Sequence, residues 1–100
     1  MNVNVVNISA DLNTFFNRYN VQRRLTLYQA LMRELENIRA QSQDADSADK
    51  INSLKHQFKG VCRYLLLDLD DQLDAIQTCE QLCCVVDNIY AQVVAIEHEL

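Results

Sequence analysis

Between Val21 and Ala40 apolar side chains recur every three or four residues, at Leu25, Tyr28, Leu31, Leu35 and Ile38, with Arg23, Arg24, Arg33, Glu34 and Glu36 between them. That spacing keeps one face of a helix apolar and the other wet, and it predicts an amphipathic helix over the segment. Before it, Asn7 or Ser9 can cap a short helix carrying Leu12, Phe15, Phe16 and Tyr19, and Asn20 marks a break. After it, Gln41 to Asp49 is polar and rich in capping residues, which predicts a loop ending at an N-cap near Asp46 or Ser47. The next apolar stripe is Ile51, Leu54, Phe58, Cys62 and Leu65, extending toward Leu69, and it predicts a helix running to about Leu67, antiparallel to its predecessor. Asp68, Asp70, Asp71 and Asp74 then mark a helix start, where carboxylates offset the positive end of the helix dipole. Beyond them Leu73, Ile76, Leu82, Val86, Ile89, Tyr90, Val93, Ile96 and Leu100 continue at helical spacing. One long helix or two antiparallel ones joined tightly around Leu82 to Asn88 both satisfy this stretch; a four-helix bundle of this size favours two.

Composition sharpens the fold class. The chain has 100 residues, one glycine and no proline, which leaves little turn chemistry for sheets. The expectation is an all-α single domain over residues 1–100, an antiparallel up-down four-helix bundle with a short additional N-terminal helix. A net charge of −5 argues against binding to nucleic acid or to an anionic membrane surface, both of which need a basic footprint. No apolar run reaches the length of a membrane span, and residues 1–10 lack the basic start and apolar stretch of a secretory leader, so the expected location is cytoplasmic. The four cysteines, Cys62, Cys79, Cys83 and Cys84, all fall in helical segments. They lack the paired spacings of a zinc site and read as reduced thiols, so no metal and no cofactor are expected.

The lone glycine carries the most information. Gly60 interrupts an otherwise good helix, in Lys55-His56-Gln57-Phe58-Lys59-Gly60, at a cost of about 1 kcal/mol relative to alanine. Residues four apart stack on one helical face, so a missing side chain at position 60 bares the imidazole of His56. Taking Phe58 as the core direction at about 100° per residue, His56 lies about 160° away, beside Gly60 and Arg63, with Lys59 at about 100° and Leu67 nearly opposite the core. These positions predict a solvent-facing histidine flanked by two cations and one exposed leucine. His98, near the C-terminus, reads as an ordinary surface residue.

His56-x-x-Lys59-Gly60 within an amphipathic helix resembles the signature of histidine-containing phosphotransfer domains, the four-helix bundles of two-component phosphorelays. The similarity extends to the short first helix ending in Asn17-Arg18-Tyr19-Asn20, to Tyr28 about one helix length before the histidine, and to the polar loop. It implies that His56 accepts a phosphoryl group from an aspartyl phosphate on a receiver domain and passes it to another receiver's aspartate. An exposed imidazole lone pair suits that role, Lys59 would balance charge on the transferred oxygens, and Gly60 would give access. The resemblance implies that the receiver supplies the metal ion and that this domain is a monomeric phosphocarrier without autokinase activity of its own. Its partners would be response-regulator receiver domains, including those of a hybrid sensor kinase, with Arg63 and Leu67 on the binding face. Some family members orient the imidazole with a glutamine from the following helix, a role open to Gln77 or Gln72. The sequence departs from the family where Val61, Cys62 and Arg63 replace small residues, and where Leu66 stands in place of a glycine common ten positions after the histidine. The latter predicts a different turn into the next helix.

A histidine-kinase dimerisation helix also exposes a phosphorylated histidine. In that family an acidic residue follows the histidine and a proline lies soon after; here Gln57 follows and proline is absent. The alternative from another class is a non-catalytic helical interaction module related to phosphotransfer domains. Docking alone requires neither the ammonium of Lys59 nor a bared imidazole.

Overall fold

The computed structural model describes residues 7–100, so the expectation for the extreme N-terminus at residues 1–6 lies outside the described residues. Every regular element among the described residues is helical: α1 (Ser9–Phe16), α2 (Val21–Gln43), α3 (Ala48–Tyr64), α4 (Asp70–Asp74) and α5 (Cys79–Ala95), followed by a 3-10 turn at Ile96–Glu99. The caps explain the starts. Asn20, Ser47 and Thr78 each accept a hydrogen bond from the backbone N–H three residues on. Thr78 is also reciprocated, because Gln81 Oε1 takes the backbone N–H of Thr78 at 3.2 Å, closing a capping box. At α1 the Asn7 side chain accepts from the N–H of Ser9, while Ile8 occupies the cap position.

Cross-helix bonds fix the directions. Ser42 at the end of α2 accepts from Cys79 and Cys83 at the start of α5, Arg39 pairs with Asp87 at 2.8 Å, and Tyr90 donates to Glu36 at 3.4 Å. Stepping back along α2 therefore means stepping forward along α5, and the two helices are antiparallel. Gln57 donating to Glu34 and the short loop at residues 44–47 make α2 and α3 antiparallel as well. After α3 the chain turns and runs back along it, since Arg63 meets Asp70, Lys59 meets Asp74 and Lys55 donates to the carbonyl of Ile76. α1 closes the end formed by the C-terminal turns of α3 and α5. There Phe15 packs edge-on against Phe16, Tyr19 and Tyr64, and Arg24 Nε satisfies the carbonyls of Phe16 and Tyr19 at 3.0 and 2.8 Å. One buried cluster, from Ile8 to Ile96, joins all five helices.

Several boundaries differ from the sequence expectation. α2 runs to Gln43 rather than stopping near Ala40, with Ser42 buried and its hydroxyl donating back to the carbonyl of Arg39. Leu25 is 44 % exposed instead of joining the core stripe. It lies about 60° beyond Tyr28, on the side away from Leu31, Leu35 and Ile38, and half-buried Leu27 borders the core instead. No turn occurs between Leu82 and Asn88. The break falls at residues 75–78, where Thr78 caps α5, and Leu82, Val86, Ile89, Val93 and Ile96 then form one unbroken buried stripe. Cys79–Glu99, with a mean hydropathy of 1.2, is long and apolar enough by length and composition to cross a membrane, which the sequence reading had not expected. In this fold its apolar stripe packs into the helical core.

Candidate functional site

α3 is buried along Leu54, Phe58 and Cys62, and this stripe sets the direction of every other side chain on the helix. Gln57 leans toward α2 and donates through Nε2 to Glu34 at 2.8 Å. On the opposite flank Lys55, Lys59 and Arg63, spaced by one turn each, hold the returning chain. Lys55 Nζ reaches the carbonyl of Ile76 at 2.8 Å, Lys59 Nζ is bound to Asp74 Oδ1, and Arg63 bonds Asp70 Oδ2 at 2.9 Å. The Arg63 guanidinium holds the Asp70 carboxyl below the usual carboxylate range, and Asp70 in turn raises Arg63. Between these two tethered flanks lies an open face carrying His56 and Gly60, both exposed as the spacing predicts. The imidazole has no hydrogen-bond or ion-pair partner among the described residues. A Cβ built on Gly60 would meet no atom within 4 Å. Interior packing therefore gives no reason for the glycine, and its backbone is not in a conformation that demands one.

Not every expected site residue joins this face. Lys59 lies on the shoulder, as expected, but its ammonium is committed to Asp74 and its side chain is only 21 % exposed. Arg63 is exposed yet likewise paired. Leu67 is a correction: it is 4 % exposed, and the exposed leucine is Leu66, at 57 %. The helical projection fails because α3 ends at Tyr64. Leu66 adopts φ 63°, its N–H bonds the carbonyl of Arg63 at 3.0 Å, and the N–H of Leu67 bonds that of Cys62 at 2.9 Å. This is a Schellman C-cap, which folds Leu67 back over the last turn and into the core. At this turn leucine takes the left-handed backbone that glycine favours. Gln77 is exposed, with its N–H held by Gln81 Oε1 at 2.7 Å, and no hydrogen bond joins Gln77 or Gln72 to His56.

Asp70 and Asp74 are the participants that the sequence reading missed. They were expected only to mark a helix start, which Asp70 and Asp71 do for α4. Their four-residue spacing matches that of Lys59 and Arg63, and this is the signal of two facing rows of opposite charge.

Compared with protein-family models, with curated proteins and with solved structures, the chain matches none.

Proposed function

We propose that the chain is a histidine phosphotransfer domain in which His56 carries a phosphoryl group between receiver-domain aspartates. The observation that carries this reading is the pairing of an exposed imidazole, without a partner among the described residues, with a glycine one turn on that the interior does not require. An imidazole nitrogen attacks the phosphorus of an aspartyl phosphate; the N–P bond forms as the P–O bond breaks, and the aspartate leaves as a carboxylate. The reverse step loads the next receiver. Such transfer depends on positioning and on cations balancing the phosphoryl oxygens, with little covalent work for the protein. Lys59 serves as that cation by exchanging Asp74 for the phosphoryl group.

Two further features support the reading. The chain is all-helical, the return segment with α4 runs back along α3, and α1 closes one end, an arrangement compatible with a phosphotransfer bundle. Leu66, at the position where the family commonly has glycine, adopts the backbone conformation that glycine favours. The domain then acts as a cytoplasmic monomer that meets its receivers across the His56 face, with Arg63 at its border.

The test is to incubate the chain with a phosphorylated receiver and look for acid-labile, base-stable phosphate on it. Labelling that is lost in His56→Gln and kept in His98→Gln is the expected result. Absence of labelling with a panel of receivers, or labelling that survives His56→Gln, overturns the assignment. If stable receiver binding persists without labelling, the chain is a docking module.

A further inference from the structure

At the opposite end of α3's open face from α1, where α2 finishes and α5 begins, two thiols converge. Cys79 Sγ and Cys83 Sγ lie 4.0 Å apart, one turn from each other on α5, and both donate to the carbonyl of Ser42, at 3.0 and 3.3 Å. Cys83 Sγ also lies 3.7 Å from the Ser42 hydroxyl, the one buried polar side chain among the described residues. Both cysteines are half-buried, so the pair is sheltered yet reachable from solvent, whereas Cys84 points outward and Cys62 is sealed in the core.

We propose that Cys79 and Cys83 form a two-thiolate site for copper(I). Soft thiolate ligands select copper(I) among the first-row ions, and they also take zinc where four ligands are available. Among the described residues no group of three or more His, Cys, Asp or Glu is placed to hold a metal, so zinc lacks its tetrahedral set. The sequence spacing that argues against zinc leaves a two-coordinate ion untouched. With metal–sulfur bonds of about 2.3 Å, sulfurs 4.0 Å apart subtend about 120° at the ion, and parting them by about 0.6 Å makes the arrangement linear. Rotation of two surface-accessible side chains supplies that movement.

The step balances without redox chemistry. Each thiol gives up its hydrogen bond to the Ser42 carbonyl and releases its proton to solvent, two S–Cu bonds form, copper stays monovalent, and the site carries one net negative charge. Binding displaces both thiol protons, so it competes with protons and strengthens as pH rises. Cys79 is the first residue of α5, whose dipole favours the charge gained, while the Ser42 carbonyl at the end of α2 opposes it.

The experiment titrates the whole chain anaerobically, with ascorbate present, against copper(I) held by bicinchoninate, and follows the colour of the chelate. Wild type and Cys84→Ser should each withdraw one equivalent. Cys79→Ser and Cys83→Ser should each weaken binding at least tenfold, since losing a ligand costs no less than losing an outer-shell partner, which is roughly 10–100-fold. Excess zinc should not compete. A second measurement needs no variant: copper(I) should protect Cys79 and Cys83 from alkylation while Cys84 is still labelled. The proposal is overturned if wild type leaves the copper on the chelator, if Cys79→Ser/Cys83→Ser withdraws as much as wild type, or if copper(I) leaves Cys79 and Cys83 as reactive as before.

Discussion

Lys59 and Asp74 face each other across the seam between α3 and the returning chain, with the ammonium of one bound to the carboxylate of the other. The lysine side chain is four-fifths covered and the aspartate is largely open, so the pair is anchored from the helix side. This contact gives Lys59 two separable roles, holding the return segment and, under the proposed function, balancing a phosphoryl group at His56. Lys59→Ala removes both. It should destabilise the fold by about 1 kcal/mol, through the lost pair and the lost packing of the lysine stem, and it should slow transfer. Asp74→Asn removes only the tether; stability should fall by less than about 1 kcal/mol, and transfer should hold or quicken because the ammonium is released. Urea unfolding and receiver-to-domain transfer measured on both variants separate the roles. Equal slowing in the two would take Lys59 out of the chemistry.

Gly60 should show stability and function moving in opposite directions. Space for a side chain is available within the molecule, so Gly60→Ala should raise stability by up to about 1 kcal/mol by relieving a mid-helix glycine. Gly60→Gln should fold equally well, yet its side chain would stand one turn from His56 in the path of an approaching receiver. Transfer should fall in the order Gly, Ala, Gln while the melting temperature does not fall below wild type. Unchanged transfer in Gly60→Gln would show that the glycine is not kept for access.

The α3 stripe, the open face, the break at Asn20 and a cap near Ser47 were legible because each depends on residues close together in sequence. Phe58 alone places His56 and Gly60 once a helix is assumed. What escaped was decided by partners far along the chain. Asp74 lies 15 residues from Lys59, and only the matching four-residue spacings of the two charge rows point to their pairing; nothing near Leu67 announces that α3 stops at Tyr64, so a helical projection carried three residues too far turned a core residue outward. Leu82 to Val93 misled for another reason: a continuous apolar stripe contains no mark of length, and the true break lay at Thr78, where capping chemistry was available to be read. Leu25 shows the remaining limit, since an apolar residue at helical spacing can fall at the margin of the buried arc.

Cys62 makes stability depend on alkaline pH. Burial pushes its thiol up to about 12 from an ordinary value of 9.0, so the folded chain holds a proton there that the unfolded chain releases. A folded value raised above the unfolded one contributes stability that is complete below pH 9 and is lost as pH climbs from 9 toward 12, at about 1.4 kcal/mol per pH unit within that window. Tyr28, raised by its own burial and by Glu97, adds to the decline above pH 10. The urea midpoint should therefore drop between pH 8.5 and 10.5 by an amount on the order of 2 kcal/mol in free energy. Cys62→Ala should start lower, because of the cavity, but decline less steeply. A decline as steep as that of wild type would assign the pH dependence elsewhere.

Leu66 offers the cleanest separation of backbone strain from side-chain contact. Its φ of 63° closes the Schellman cap of α3, and the residue is 57 % exposed, so the leucine gives up little burial if removed. A non-glycine residue in the left-handed region costs roughly 1–2 kcal/mol, while glycine loses roughly 0.5–1 kcal/mol of extra chain entropy on folding. Leu66→Gly should thus stabilise the domain by about 0.5–1 kcal/mol. Leu66→Ala keeps the backbone penalty and sheds only exposed surface, so it should sit near wild type. Leu66→Val should be the least stable of the three, because a β-branched side chain fits that conformation poorly. The order Gly above Ala above Val in thermal unfolding is the expected outcome; Ala matching Gly would mean that the positive φ carries no penalty here, and that exposed apolar surface, not backbone geometry, governs this turn.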